Sequence, residues 1–149
     1  MNHLMQRDAA EDIGARTLWG EGRNQPDNGL YGIAHSIANR VEARSWYGNS
    51  VIAVCLMPAQ YSCWRPSDPN LLKLIRVDET DPQFVRCLSI AREVFSGQHA
   101  DNTSGSTHYL TRAAYERHQQ ARERTAATWS KGLTPAATLG DHLFFNNVP

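Results

Sequence analysis

Apolar residues recur at helical spacing in three stretches of this chain, and two short stretches near its C-terminal end read as strands. The first stripe, Ala10, Ile13, Gly14, Thr17 and Leu18, predicts a helix from about Met5 to Gly20. Gly22 and the cluster Pro26, Asn28 and Gly29 close it, leaving a loop from Asn24 to Gly29. Leu30, Ile33, Ala34, Ile37, Ala38 and Val41 form the most regular stripe in the chain and predict a second helix. "SVIAVCLM" (50–57) is a short apolar segment of about a helical turn. "PAQYSCWRPSDPN" (58–70) is too rich in proline and polar groups for a regular element. Asp81 and Pro82 open a third helix, whose apolar face is Phe84, Leu88, Ala91 and Phe95 and which stops at Gly97. "STHYLT" (106–111) reads as a strand, "RAAYERHQQARERTAAT" (112–128) as a thinly apolar surface helix or excursion, and "ATLGDHLFFNN" (137–147) as an aromatic strand. Helices with a few short strands imply an α+β, mainly α, fold in a single domain spanning 1–149.

Composition narrows the function classes more than it names one. Hydrophobic residues make up 41% of the chain and charged residues 20%, an ordinary globular balance. Lys and Arg total 15 against 15 Asp and Glu, so no net field recruits nucleic acid. No stretch is long enough to span a membrane, and the polar opening "MNHLMQRDAAED" does not read as a signal peptide. Synthesis in the cytoplasm, as a monomer, is the expectation. Cys55, Cys63 and Cys87 are odd in number and lack a C-x-x-C spacing, so they read as buried thiols rather than a disulfide framework or zinc knuckle.

Glu21 falls on the apolar stripe of the first helix, at its C-terminal end. Partial burial and the negative end of the helix dipole both favour the neutral acid, so its pKa is expected to be raised, which makes it a candidate proton donor. The alternative is a frayed, solvated glutamate. In "STHYL", Thr107 and Tyr109 share one strand face and His108 takes the other. His108 and His142 read as hydrogen-bonded or packing residues, with Phe144 and Phe145 beside the latter. Asn39 and Arg40 lie off the stripe of the second helix and read as structural, while His3, His35, His99 and His118 read as surface residues.

Four segments together resemble the SleB-type cell-wall hydrolases. "ARTLWGEGRNQP" (15–26) is similar to that family's G-E-[AG]-R-x-E-P pattern, and "GIAHSIANRV" (32–41) to its second helix ending in N-R-V. "PAQYSCW" (58–64) resembles a Q-[FY]-S-x-W stretch. "STHYL" (106–110) with "TWSKGLTPAATLGDHLFF" (128–145) resembles its T-H-[YF] strand and W-A-x-x-L…I-G-x-H-x-F-[YF] ending. The departure is Gln25, where many members carry a second glutamate.

The resemblance implies a lysozyme-like fold and cleavage of peptidoglycan between N-acetylmuramic acid and N-acetylglucosamine, as in lytic transglycosylases. It places the catalytic acid/base on Glu21, and Gln60, Tyr61, Ser62, Trp64, Thr107, His108 and Tyr109 along the substrate groove; no cofactor is expected. Trp64 suits stacking on a pyranose or plugging the core equally well. The implied setting is a phage-type endolysin that reaches the wall through a membrane pore. Two other readings stand beside this one. A metal-dependent amidase or peptidase would draw on Glu21, His108, His142 and Asp141, although no H-E-x-x-H spacing is present. A non-catalytic particle component would bind peptidoglycan without cutting it.

Overall fold

The computed structural model describes residues 7–149, and in it the first helix, α1, runs Ala9–Gly22. Asp8 caps it by accepting from the Glu11 N–H at 2.7 Å, so the start lies beyond the expected Met5, which is outside the described residues, as is His3. Helix α2 (Asp27–Ala43) follows a four-residue link and ends where Arg44 turns left-handed at φ 49. α3 (Val51–Leu56) is capped by Ser50, and α5 (Pro82–Phe95) by Asp81, whose carboxylate accepts from the N–H groups of Gln83 and Phe84. Between them, α4 (Leu71–Arg76) is a helix that the sequence pattern does not announce: of its six residues only Leu74 is buried, too few for a stripe.

Strand β1 (His108–Thr111) leads into α6 (Arg112–Gln119), which has no buried residue and continues into an excursion, as expected of 112–128. The C-terminal aromatic stretch is a correction: it is two strands, β2 (Ala137–Leu139) and β3 (His142–Phe145), joined by a tight turn. Gly140 has φ +60 there, and a Cβ on it would sit 2.4 Å from Gln25 Oε1. The sheet order is β1-β3-β2, antiparallel, with Tyr109 opposite Phe144 and Thr111 opposite His142. Being central, β3 is buried along its whole length, which explains its run of apolar residues.

The core joins α1, α2 and α5 through Leu18, Leu30, Ile33, Ile37, Phe84 and Leu88, with Phe144 reaching it from the sheet. The fold is a mainly α-helical α+β domain. No described helix is long and apolar enough to cross a membrane. All three cysteines are buried and free. The placement of His35 at the surface is overturned, while His99 and His118 are half-buried and paired. His35 is 5% exposed because the loop 98–107 covers that side of α2. His35 Nε2 lies 2.9 Å from His99 Nδ1, and the His99 ring stacks on Tyr31 at 3.8 Å. His118 Nδ1 meets Ser130 Oγ at 2.7 Å. Asn39 and Arg40 are structural: Asn39 donates to Asp101 and to the Ser106 carbonyl, and Arg40 Nε donates to the Thr107 carbonyl at 2.6 Å.

Candidate active site

Glu21 is the penultimate residue of α1, and three donors from two other parts of the chain converge on its carboxylate. Tyr109 of β1 donates its hydroxyl to Oε1 at 2.9 Å. The Cys63 N–H donates to Oε2 at 3.3 Å, and the Ser62 hydroxyl stands 3.5 Å from the same oxygen. Ser62 and Cys63 belong to a short 3-10 turn, Ser62–Trp64, which packs against the end of α1. Gly20 allows that approach, since a Cβ there would lie 2.6 Å from Cys63 Cβ. One turn earlier on α1, buried Thr17 gives its hydroxyl proton to the Ile13 carbonyl at 2.8 Å and accepts from Trp64 Nε1 at 2.9 Å. The turn is thus fastened to the helix that carries Glu21 both at the carboxylate and one turn before it.

Burial pushes the Glu21 pKa above the ordinary carboxyl value, while hydrogen bonds from Tyr109, Cys63 and Ser62 pull it back. The position at the helix C-terminus, with no basic residue in the last turn, adds to the upward push. Tyr109 is half-buried beside this acid, and desolvation with the neighbouring Glu21 raises its own pKa well above the usual phenol value, so it remains a donor. The carboxyl is therefore kept neutral more readily than in water, with donors ready for the anion it becomes once its proton is given away. No other carboxylate hydrogen-bonds Glu21 among the described residues.

The other expected groove residues fall into four positions. Ser62 and Tyr109 touch the acid directly. Trp64 is half-buried, its indole N–H spent on Thr17, so one edge is anchored inside. Gln60 and Tyr61 stand behind the turn. The Gln60 amide donates to the carbonyls of Tyr47 and Val54 and accepts from Arg40, and Tyr61, 4% exposed, places its hydroxyl 3.3 Å from Ser36 Oγ. Thr107 Oγ1 pairs with His108 Nδ1 at 2.9 Å. His108 packs between Tyr47 and Trp129, and burial, helped by Arg40, lowers its pKa to about 4, so it is neutral at neutral pH.

Gln25 does not point into this set of partners. Its Oε1 accepts from the Asp141 N–H at 2.9 Å and its Nε2 donates to Asp141 Oδ2 at 3.1 Å, clasping the α1–α2 link to the β2–β3 turn. The histidines of the metal-dependent reading are on opposite faces of the sheet: His108 is registered with Phe145, whereas His142 sits with Phe144 against Tyr109. Among the described residues no group of three or more His, Cys, Asp or Glu side chains is arranged to hold a metal ion. A cleft of 570 Å³ beside Trp19 and Leu72 contains none of the groups bonded to Glu21; another of 350 Å³ is lined by Tyr61 and Trp64. Sequence reasoning missed the Cys63 N–H, a backbone donor with no side-chain signal, and Thr17, which reads as an ordinary member of the apolar stripe.

Comparison with known proteins bears on family and fold. The family described as Cell Wall Hydrolase matches residues 24–145. The matched span begins just beyond Glu21, so the case for that residue stands on its surroundings. The crystal structure of the catalytic domain of the Bacillus cereus SleB protein is similar in fold, with a TM-score of 0.60 and 19% identity over 93% of this chain and 92% of that one. No curated protein matches the chain.

Proposed function

Because the chain belongs to the SleB-type cell-wall hydrolase family, we propose that it cuts the glycan strand of peptidoglycan, with Glu21 as proton donor and acceptor. The observation that carries this reading is the Glu21 carboxyl itself: half-buried, raised in pKa, held by the Tyr109 hydroxyl and the Cys63 N–H, with no carboxylate among its partners. Glu21 gives its proton to the glycosidic oxygen as the bond from the muramic acid anomeric carbon breaks, and the bonding pair leaves with that oxygen. Tyr109 and Cys63 stabilise the carboxylate formed.

A hydrolase of the two-carboxylate kind would need a second acid to activate water or attack the sugar. The partner set of Glu21 favours the alternative, in which the muramic acid 6-hydroxyl attacks the anomeric carbon and returns its proton to Glu21. That closes a 1,6-anhydro ring and consumes no water. This is the chemistry of a lytic transglycosylase.

Mass spectrometry of muropeptides released from purified peptidoglycan tests it directly. Wild type is expected to yield 1,6-anhydro ends, and Glu21→Gln to lose roughly 10²–10⁴-fold in rate while keeping its fold. Reducing muramic acid ends would make the enzyme a muramidase. Free stem peptides would move the reaction to the amide bond, and binding without release would leave a peptidoglycan-binding protein.

A further inference from the structure

A run of aromatic rings begins beside Gln60, next to the 3-10 turn that packs over Glu21. Trp46 and Tyr47, between α2 and α3, have ring centroids 4.6 Å apart. Tyr47 meets His108 of β1 edge-on at 5.9 Å, and His108 meets Trp129 of the C-terminal excursion at 5.1 Å. Three parts of the chain distant in sequence thus contribute to one row. Its inner members are half-buried, and Trp129 is backed by Phe145 at 5.2 Å. Trp46 differs: it is 65% exposed, the most exposed large hydrophobic side chain among the described residues.

The row is joined to the candidate active site by the backbone at both ends of its middle section. Gln60 donates to the Tyr47 carbonyl, and the residues after it, Tyr61 to Cys63, form the turn over Glu21. His108 is the strand neighbour of Tyr109, which donates to the acid from the other face of β1. Arg40 ties the two sides, its guanidinium 4.7 Å from the Tyr47 ring centroid and its Nε on the Thr107 carbonyl. The rings carry no net charge that would select an ionic partner, since burial lowers the His108 pKa to about 4.

An exposed indole on a rigid backing of further rings suits one ligand class in particular, the flat apolar face of a pyranose, with the indole N–H and phenol hydroxyl free for sugar oxygens. The geometry points to a second glycan-binding site, in which the Trp46–Tyr47–His108–Trp129 row grips the same peptidoglycan strand at saccharides beyond those held around Glu21. This rests on the glycan-cleaving reading above and extends it: an enzyme acting on a long polymer gains from holding units remote from the cut, because one attachment raises the effective concentration of the next.

The test uses Trp46, whose exposure makes its replacement safe for the fold. In the Glu21→Gln background, Trp46→Ala is expected to weaken pelleting with purified peptidoglycan sacculi about fivefold to tenfold, and Trp46→Phe to restore most of it. In the active protein, Trp46→Ala is expected to lower the ratio of kcat/KM on long glycan strands to kcat/KM on a tetrasaccharide by a similar factor, mainly through KM. An unchanged ratio together with unchanged pelleting would overturn the platform, whether or not the protein cuts. A wild type that never cuts glycan, but pellets in a Trp46-dependent way, would sustain the platform and overturn the glycosidase reading instead.

Discussion

Burial and hydrogen bonding act on Glu21 in opposite directions, and burial has the larger effect. Two expectations follow from the sign. Activity requires the protonated acid, so kcat/KM falls as pH rises through the raised Glu21 pKa. Tyr109→Phe removes the strongest hydrogen bond holding that pKa down, so the alkaline limb of the pH–rate profile moves to higher pH while the maximal rate drops. A limb that stays in place, or moves to lower pH, would show that Tyr109 does not act on this carboxyl. The same shift bears on stability. A carboxyl whose folded pKa is raised supports the fold fully below its ordinary range, and that support is lost as pH rises through the folded value. Glu21→Gln is therefore expected to melt higher than wild type near neutral pH and to lose that advantage in acid, read by thermal denaturation at a series of pH values.

Between elements, the clasp of Gln25 on Asp141 is the contact most easily misread from the sequence, where Gln25 is visible only as a missing glutamate. The amide matters because it meets an N–H with its oxygen and a carboxylate with its nitrogen, two demands that a glutamate cannot satisfy together. Gln25→Glu places a second carboxylate against Asp141 and is expected to cost about 1 kcal/mol at neutral pH by urea unfolding. Asp141→Asn in that background should recover the lost stability by supplying a donor to the new carboxylate. Gly140 completes the joint, because its φ of +60 and the closeness of Gln25 leave no room for a side chain. The hairpin was unreadable as a hairpin for a related reason. β3 is buried on both faces and β2 is three residues long, so no alternation marks where one strand stops and the next starts.

Across the whole molecule, the site depends on a core that sets α1 against α5 and α2 against the sheet. Leu18 is fully buried three residues before Glu21, and Leu18→Ala is expected to destabilise the protein by about 2–5 kcal/mol. That is a large share of the roughly 5–15 kcal/mol by which such domains are stable. Specific activity, corrected for the folded fraction, should fall much less than the urea midpoint suggests. Phe144 reaches across to α2, where a Cβ on Gly32 would sit 2.6 Å from its ring, so sheet and helices meet without a spacer. That contact is what brings Tyr109, on the neighbouring strand, within reach of a helix end far earlier in the chain.

The helices α1, α2 and α5, the Asp81 cap of α5, the burial of the cysteines and the candidacy of Glu21 were legible in the amino-acid order. Each follows from a period of 3.6 residues or from a residue type at a chain break, and both are local properties. The tertiary structure decided the rest: that Tyr109, 88 residues from Glu21, would donate to it, that the Cys63 N–H would join from 42 residues away, and that His35 would be covered by its own distant loop. Those pairings are set by how the packed layers close over one another, and periodicity within one element carries no record of which other element will face it.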